Sequence, residues 1–165
     1  MKKIRNIIIM IILIAAIAVL FTACGSSDST IPQPTPDEGA KVYEISGTCE
    51  IEKISDAEIT VHCEANIMKD AVIMVSIDNY DGKNVAEYKW TKTDDDTCDV
   101  SFTITDDWTD PVYASIVCTP SSNGSQPKTV KDAYGNQFQN ISGDCVIWNT
   151  EGNAVVIQSE PFSDF

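Results

Sequence analysis

The sequence predicts an all-β domain folded as an antiparallel two-sheet sandwich of about eight short strands. From residue 42 onward, apolar residues mostly recur at every second position, which is the period of a half-buried strand. Turn-forming residues interrupt this alternation about every 8–15 residues, a spacing typical of sandwiches. Residues 41–165 suffice for one domain with a single core. A closed barrel has the same periodicity and stays open as an alternative.

Four strands are predicted in the first half of the domain. Apolar positions alternate with Ser, Thr and Glu over 45–51 and again over 59–65. The apolar run at 71–77 predicts a central strand, since strands buried on both faces lack alternation. Residues 79–84 are rich in Asn, Asp and Gly and predict a turn, followed by a strand at 85–89.

The second half supplies the other four strands and one helical interruption. Alternation predicts a strand at 98–104, and prolines bound an apolar strand at 112–118. Helical spacing over 128–138 predicts a short helix crossing between the sheets. A final hairpin is predicted from 145–148 and 154–158.

The N-terminus reads as an export signal. Lys2, Lys3 and Arg5 precede an apolar run at 7–21, which ends in Phe21-Thr22-Ala23-Cys24. These four residues resemble the lipobox of bacterial lipoproteins, with Phe21 in place of the commonest leucine. The resemblance implies lipidation at Cys24 after removal of residues 1–23.

This resemblance implies a cell-membrane lipoprotein, lipid-anchored on the extracytoplasmic face, with the membrane as its first partner. A retained transmembrane helix is the alternative, because residues 4–23 are just long enough to span a bilayer. Both alternatives send the domain outward. Residues 24–40 contain a proline at every second position over 32–36 and predict an extended tether.

The charge balance disfavours nucleic acid as a partner. After residue 23 the chain has eight lysines, no arginine and twenty-five acidic residues, a formal charge of −17. Nucleic-acid binding depends on Lys and Arg that release phosphate counterions. The absence of arginine likewise disfavours bidentate capture of phosphate or carboxylate groups.

A pattern late in the domain supports the fold prediction. Gln126-Pro127, Val130, Tyr134-Gly135, Asn140 and Gly143 look like a pattern in uncharacterised Gram-positive surface proteins. The whole arrangement resembles bacterial immunoglobulin-like or fibronectin-III-like sandwiches carried on surface lipoproteins. The resemblance brings no known active site, so it assigns no functional residue.

Five cysteines follow Cys24, at positions 49, 63, 98, 118 and 145. An exported domain can form disulfides, and an odd number leaves at least one thiol free. The immunoglobulin-like resemblance implies a bridge between Cys63 and Cys118 across the core. The alternative is that all five are small buried hydrophobes. Zinc is disfavoured, because there is no Cys-x-x-Cys pair and only one histidine.

Catalytic and metal-binding signals are weak. His62 is the one histidine and lies on a polar strand face near Glu64, which predicts a surface pair. Twenty-five acidic residues offer many accidental carboxylate pairs, so no pair is informative. Asp78-x-x-Asp81-Gly82-x-Asn84 has a partial likeness to a calcium loop without the EF-hand spacing. We therefore expect no cofactor, with calcium as a weak possibility.

The aromatic residues give the leading functional hypothesis. Trp90 and Trp108 are candidates to face a ligand, although aromatic residues also fill cross-strand pairs in sheets. We expect a non-catalytic binding module that recognises an envelope protein or a glycan through loops at one end of the sandwich. A passive spacer without a ligand is the alternative, and an envelope hydrolase is a remote one.

Overall fold

A computed structural model describes residues 32–80, 85–94 and 96–163. These residues form ten strands and one α-helix, α1 (Lys128–Tyr134). The strands are β1 (Tyr43–Glu44), β2 (Gly47–Ser55), β3 (Glu58–Ala65), β4 (Val72–Asn79), β5 (Val85–Lys92), β6 (Thr97–Thr103), β7 (Val112–Cys118), β8 (Ile141–Ser142), β9 (Val146–Asn149) and β10 (Gly152–Gln158).

Two antiparallel sheets form the sandwich, which confirms the predicted fold class. One sheet has five strands in the order β5-β4-β7-β10-β9, and the other has three in the order β2-β3-β6. All eight predicted strands are present. The two further strands, β1 and β8, are two residues long and pair in parallel. Segments this short have no detectable alternation, so periodicity did not predict them.

The chain order of the strands is immunoglobulin-like. The first, second and fifth long strands, β2, β3 and β6, form one sheet, while β4, β5, β7 and β10 lie in the other together with the short strand β9. Sandwiches of this kind join two such sheets through Greek-key connections. In this domain β5 pairs with β4 instead of joining the three-stranded sheet.

The core lies between the two sheets and takes alternate residues from each. From the three-stranded sheet it takes Ile59 and Val61 of β3 and Phe102 of β6. Central strands β4 and β7 are buried along almost their whole length, which explains the continuous apolar run at 71–77. No helix among the described residues is long and apolar enough to cross a membrane.

Residues 119–151 connect β7 to β10, and we call them the crossover segment. This segment contains a short 3₁₀ turn at Ser122–Gly124, followed by α1, β8 and β9. The helix predicted near 128–138 is confirmed at Lys128–Tyr134, and it ends where Gly135 adopts a positive φ of 85°. Its buried residues, Val130 and Tyr134, belong to the core.

The side chain of Gln126 fastens the crossover segment to the start of β4. Its Oε1 accepts a hydrogen bond from the Val72 N–H at 2.8 Å, and its Nε2 donates to the Val72 carbonyl at 2.7 Å. Nε2 also donates to the Thr119 carbonyl at 2.9 Å. The buried amide thus satisfies three backbone groups that would otherwise lose hydrogen bonds on burial.

The end of the predicted tether packs on the same segment. The Asp37 N–H donates to Oδ1 of Asn140 at 2.9 Å, and Asn140 Nδ2 donates to the Asp37 carboxylate at 3.2 Å. Gln139 Nε2 lies 3.1 Å from both oxygens of that carboxylate. The folded unit therefore includes Asp37, a few residues before the expected boundary at 41.

Replacing Gln126 with Met should lower the free energy of unfolding by about 3 kcal/mol. Met has a similar shape but leaves the Val72 backbone groups and the Thr119 carbonyl without their side-chain partner. Urea denaturation followed by intrinsic fluorescence measures the change. Gln137→Met is the matched control, because the Gln137 side chain is exposed and should tolerate the change within about 0.5 kcal/mol. Equal losses in both variants would contradict this role.

Candidate functional site

Two aromatic side chains stand side by side on edge strand β5. Tyr88 is 38% exposed and Trp90 is 36% exposed. Because they are two residues apart, they share the face of the sheet that points away from the core, about 7 Å apart along the strand. Lys92 is exposed on the same face. We call Tyr88, Trp90 and Lys92 the β5 patch.

The β5 patch is positioned by regular pairing of β5 with the neighbouring strand β4. Trp90 has Met74 of β4 as its register partner, and Tyr88 has Ser76. Both partners are buried. Strand β4 is in turn paired with the central strand β7, so the two rings lie on a continuous part of the sheet. The patch is therefore held by regular hydrogen-bonded structure, unlike a side chain on a free loop.

A buried carboxyl lies on the same face of β4. Burial raises the pKa of Asp78, while hydrogen bonds from Ser115 and Ser76 oppose the rise. The Ser76 hydroxyl donates to Asp78 Oδ2 at 3.1 Å. Gln158 Nε2 in turn lies 3.4 Å from the Ser115 hydroxyl. These residues form a polar row across the outer face, next to the aromatic pair.

The structure corrects the expectation that Trp108 faces a ligand. Its side chain is only 8% exposed and belongs to the core cluster. The loop before β7 turns inward because Asn79 Oδ1 accepts a hydrogen bond from the Thr109 N–H at 2.8 Å. Trp90 is exposed as predicted, but it lies on a strand face, and the binding residues were expected on end loops.

The third tryptophan does not extend the β5 patch. Trp148 is 39% exposed on β9, at the opposite edge of the five-stranded sheet. Four strand spacings separate β5 from β9, or roughly 19 Å. The register with Asn153 also places Trp148 on the other face of the sheet. The two exposed tryptophans therefore belong to different surfaces.

His62 has partners other than the one predicted. It lies on a surface face as expected, but its ring contacts the strands on either side in place of Glu64. Nδ1 lies 2.9 Å from Asp99 Oδ1 on β6, and Nε2 lies 2.8 Å from Glu52 Oε2 on β2. The hydrogen bond with Asp99, then the one with Glu52, raises the pKa of His62. Sequence alternation could have placed all three on one face, but it could not give the register.

All five described cysteines are free thiols in the structure. The Cys63–Cys118 bridge implied by the resemblance is therefore absent. Cys118 Sγ lies 3.6 Å from the Val72 carbonyl and 3.5 Å from Gln126 Nε2, on the inner face of the five-stranded sheet. Burial raises the pKa of Cys118 to about 12, although the bond with Gln126 opposes the rise.

A cleft of about 530 Å³ opens between the start of β2 and residues 157–162. Cys49, Glu50 and Glu160 line it, whereas His62 does not. Burial raises the pKa of Cys49 to about 12. A thiol with such a pKa is almost wholly protonated at neutral pH and is a poor nucleophile.

The metal and lipid predictions fall largely beyond what the structure describes. Among residues 32–80, 85–94 and 96–163, no group of three or more His, Cys, Asp and Glu residues could hold a metal ion. The calcium-like sequence continues through Asp81, Gly82 and Asn84, which lie outside the described residues. Cys24 and its leader lie outside them as well.

Comparison of the chain with protein-family models, curated proteins and solved structures found no match.

Replacing His62 with Gln should remove a stabilisation that is present at low pH and absent at high pH. The folded pKa is raised, so the contribution is complete below the ordinary value near 6.5 and disappears as pH rises through the folded value. All three side chains are more than a third exposed, so solvent screening limits the effect to about 0.5 kcal/mol.

Urea denaturation of both proteins at pH 5.5 and pH 8.5 measures this difference. Glu64→Gln is the matched control, since Glu64 lies on the same face without a hydrogen bond to His62. It should keep the pH dependence of the unsubstituted protein. A His62→Gln variant with an unchanged pH dependence would contradict the three-strand contact.

Proposed function

We propose that this protein is a non-catalytic binding module, held by lipid on Cys24 at the outer face of the cell membrane. It recognises a glycan of the bacterial envelope through the β5 patch. The observation that carries the proposal is the exposed pair Tyr88 and Trp90, side by side on a rigid sheet.

Exposed tryptophan favours a binding module over a passive spacer. A spacer gains nothing from exposing large aromatic side chains, which usually fill cores or form interfaces. Here Trp90 and Tyr88 share one outward face of β5 and both remain exposed. Tyr and Trp are also the residues that contribute most to binding energy per side chain.

The chemistry of the β5 patch fits an uncharged glycan. Each ring offers an apolar face for the C–H face of a sugar and a polar group at its edge. After residue 23 the chain has a formal charge of −17, so anionic polymers are repelled from most of its surface. Lys92 adds one further hydrogen-bond donor beside the rings.

Replacing Trp90 with Ala should weaken glycan binding at least tenfold. Loss of one stacked ring at a binding surface costs roughly 2 kcal/mol, and each 1.4 kcal/mol is a tenfold change in affinity. Isothermal titration with soluble fragments of neutral envelope polysaccharide measures the loss. Trp148→Ala is the matched control, because Trp148 is as exposed but lies on another surface.

Three results would overturn the glycan assignment. The first is no binding by the unsubstituted protein, and the second is an equal loss in both variants. The third is a Trp90-dependent interaction with an envelope protein and none with glycan. Circular dichroism of each variant verifies that the fold is kept.

Replacing Cys24 with Ser should release the chain from lipid attachment. In a bacterial host, the unsubstituted protein should incorporate labelled palmitate and begin at residue 24. The variant has no thiol there to accept the diacylglycerol, so it should retain its leader and remain unlabelled. Cys145→Ser is the control and should label normally. Equal labelling of both variants, or an intact leader on the unsubstituted protein, would contradict the anchor.

A further inference from the structure

Three cysteines form one row across the three-stranded sheet. The register pairs Cys63 of the central strand β3 with Cys49 of β2 on one side and with Cys98 of β6 on the other. All three side chains point into the core and are buried. Only Cys63 is adjacent to both of the others. The row therefore offers two cross-strand pairs that share one thiol.

The backbone hydrogen bonds distinguish these two pairs. The Ala65 N–H donates to the Asp96 carbonyl on the β6 side at 2.8 Å, whereas the Asn66 N–H donates to the Ser46 carbonyl on the β2 side at 3.2 Å. Successive residues of a central antiparallel strand bond to opposite neighbours. Cys63, two residues before Ala65, therefore bonds toward β6 and faces β2 without a hydrogen bond.

Cys49 and Cys63 are therefore a non-hydrogen-bonded pair, which we call the narrow pair because its Cα atoms lie closer together. Cα atoms of a non-hydrogen-bonded pair lie about 4.5 Å apart with their side chains close, against about 5.5 Å in a hydrogen-bonded pair. Both separations fall in the Cα range of disulfides, but only the narrow pair, with Cβ atoms about 4.5 Å apart, also reaches the Cβ range of roughly 3.5–4.5 Å that an S–S bond spans. We propose that Cys49 and Cys63 are a cross-strand disulfide site, which closes when the protein folds in the presence of a low-molecular-weight or protein disulfide.

Bond formation balances as a thiol–disulfide exchange. One cysteine thiol loses its proton and its sulfur attacks the oxidant disulfide, which releases one oxidant thiolate and leaves a mixed disulfide. The second cysteine loses its proton and displaces the other half of the oxidant. Two thiols are oxidised to one S–S bond, and the oxidant disulfide is reduced to two thiols that take up the two protons.

The timing of this reaction follows from burial. Burial raises the pKa of both Cys49 and Cys63 to about 12. The thiolate is the reacting species, so exchange is slow once the sheets have closed. The pair instead reacts while the β2–β3 hairpin is formed and still open to solvent. After packing, the same burial protects the bond from reductants.

Among the described residues, Cys118 and Cys145 have no cysteine opposite them in a strand pair. Cys118 lies on the opposite sheet and contacts Val72 and Gln126. Cys145 Sγ donates to the Ile45 carbonyl at 3.2 Å. Cys98 is left beside the bond as a reduced thiol.

Peptide mapping of the full chain tests this pairing. The purified chain, in mild detergent, is unfolded with reductant, refolded with oxidised glutathione, alkylated and cleaved with trypsin without reduction. Cys49 lies in peptide 42–53 and Cys63 in peptide 54–69, whereas Cys98 and Cys118 share peptide 93–128. We expect 42–53 joined to 54–69 in a species that reduction separates. A link between 54–69 and 93–128, or full alkylation of both cysteines, would overturn the proposal.

Two variants provide an independent measurement. The unsubstituted protein refolded with oxidised glutathione should have a thermal midpoint several degrees above that of the same protein refolded with reductant. Cys98→Ala should keep this difference and Cys49→Ala should lose it. The reverse pattern would overturn the pairing. The peptide map of the unsubstituted protein decides the matter even if a variant does not fold.

Discussion

A three-stranded sheet cannot cover the inner face of a five-stranded one, and this mismatch shapes the rest of the domain. Edge strand β2 of the smaller sheet packs against β7 and β10, so the inner surface next to β9, at one side of the sandwich, lies beyond it. Part of the crossover segment lies there. Phe138 accepts a hydrogen bond at its carbonyl from Asn153 Nδ2 at 3.0 Å, and the Asn153 N–H donates to the Gln137 carbonyl at 2.8 Å. Val130 and Tyr134 of the same segment also belong to the core. The part of the segment before β9 thus packs against the sandwich and adds to its core.

Residues of the late-domain pattern hold separate parts of the domain together. Tyr134 accepts a hydrogen bond from the Met68 N–H at 2.6 Å and packs edge-on against Phe138, with ring centroids 5.3 Å apart. Gly143 has a φ of 129°, and a Cβ there would lie 2.0 Å from the Ile45 carbonyl oxygen. Gln126 and Asn140 satisfy backbone groups of other segments. In this chain, these four residues of the pattern therefore each have a structural role.

The sequence predicted what depends on local periodicity and failed where distant segments meet. Alternation and short apolar runs bounded by turn residues predicted eight strands. Alternation also predicted the inward direction of Cys49, Cys63 and Cys98, because successive side chains of a strand point to opposite faces of the sheet. It could not give the partner of His62, since Asp99 is adjacent only through the β3–β6 register. It also could not tell buried Trp108 from exposed Trp90. Their exposure depends on the fold of the loop before β7 and on the edge position of β5.

The edge position of β5 also limits how a ligand can bind. Exposed edges invite another strand to add by backbone hydrogen bonds, and an inward-pointing charge on the edge opposes such pairing. Lys89 has this position between Tyr88 and Trp90. Its Nζ lies 4.6 Å from the Phe102 ring centroid and donates to the Ser101 carbonyl on β6, which closes the sandwich on this side. An added strand would have to accommodate that charge at its inner face. The β5 patch is therefore suited to side-chain recognition across the face of the sheet, and the proposed stacking of a sugar ring needs only that face.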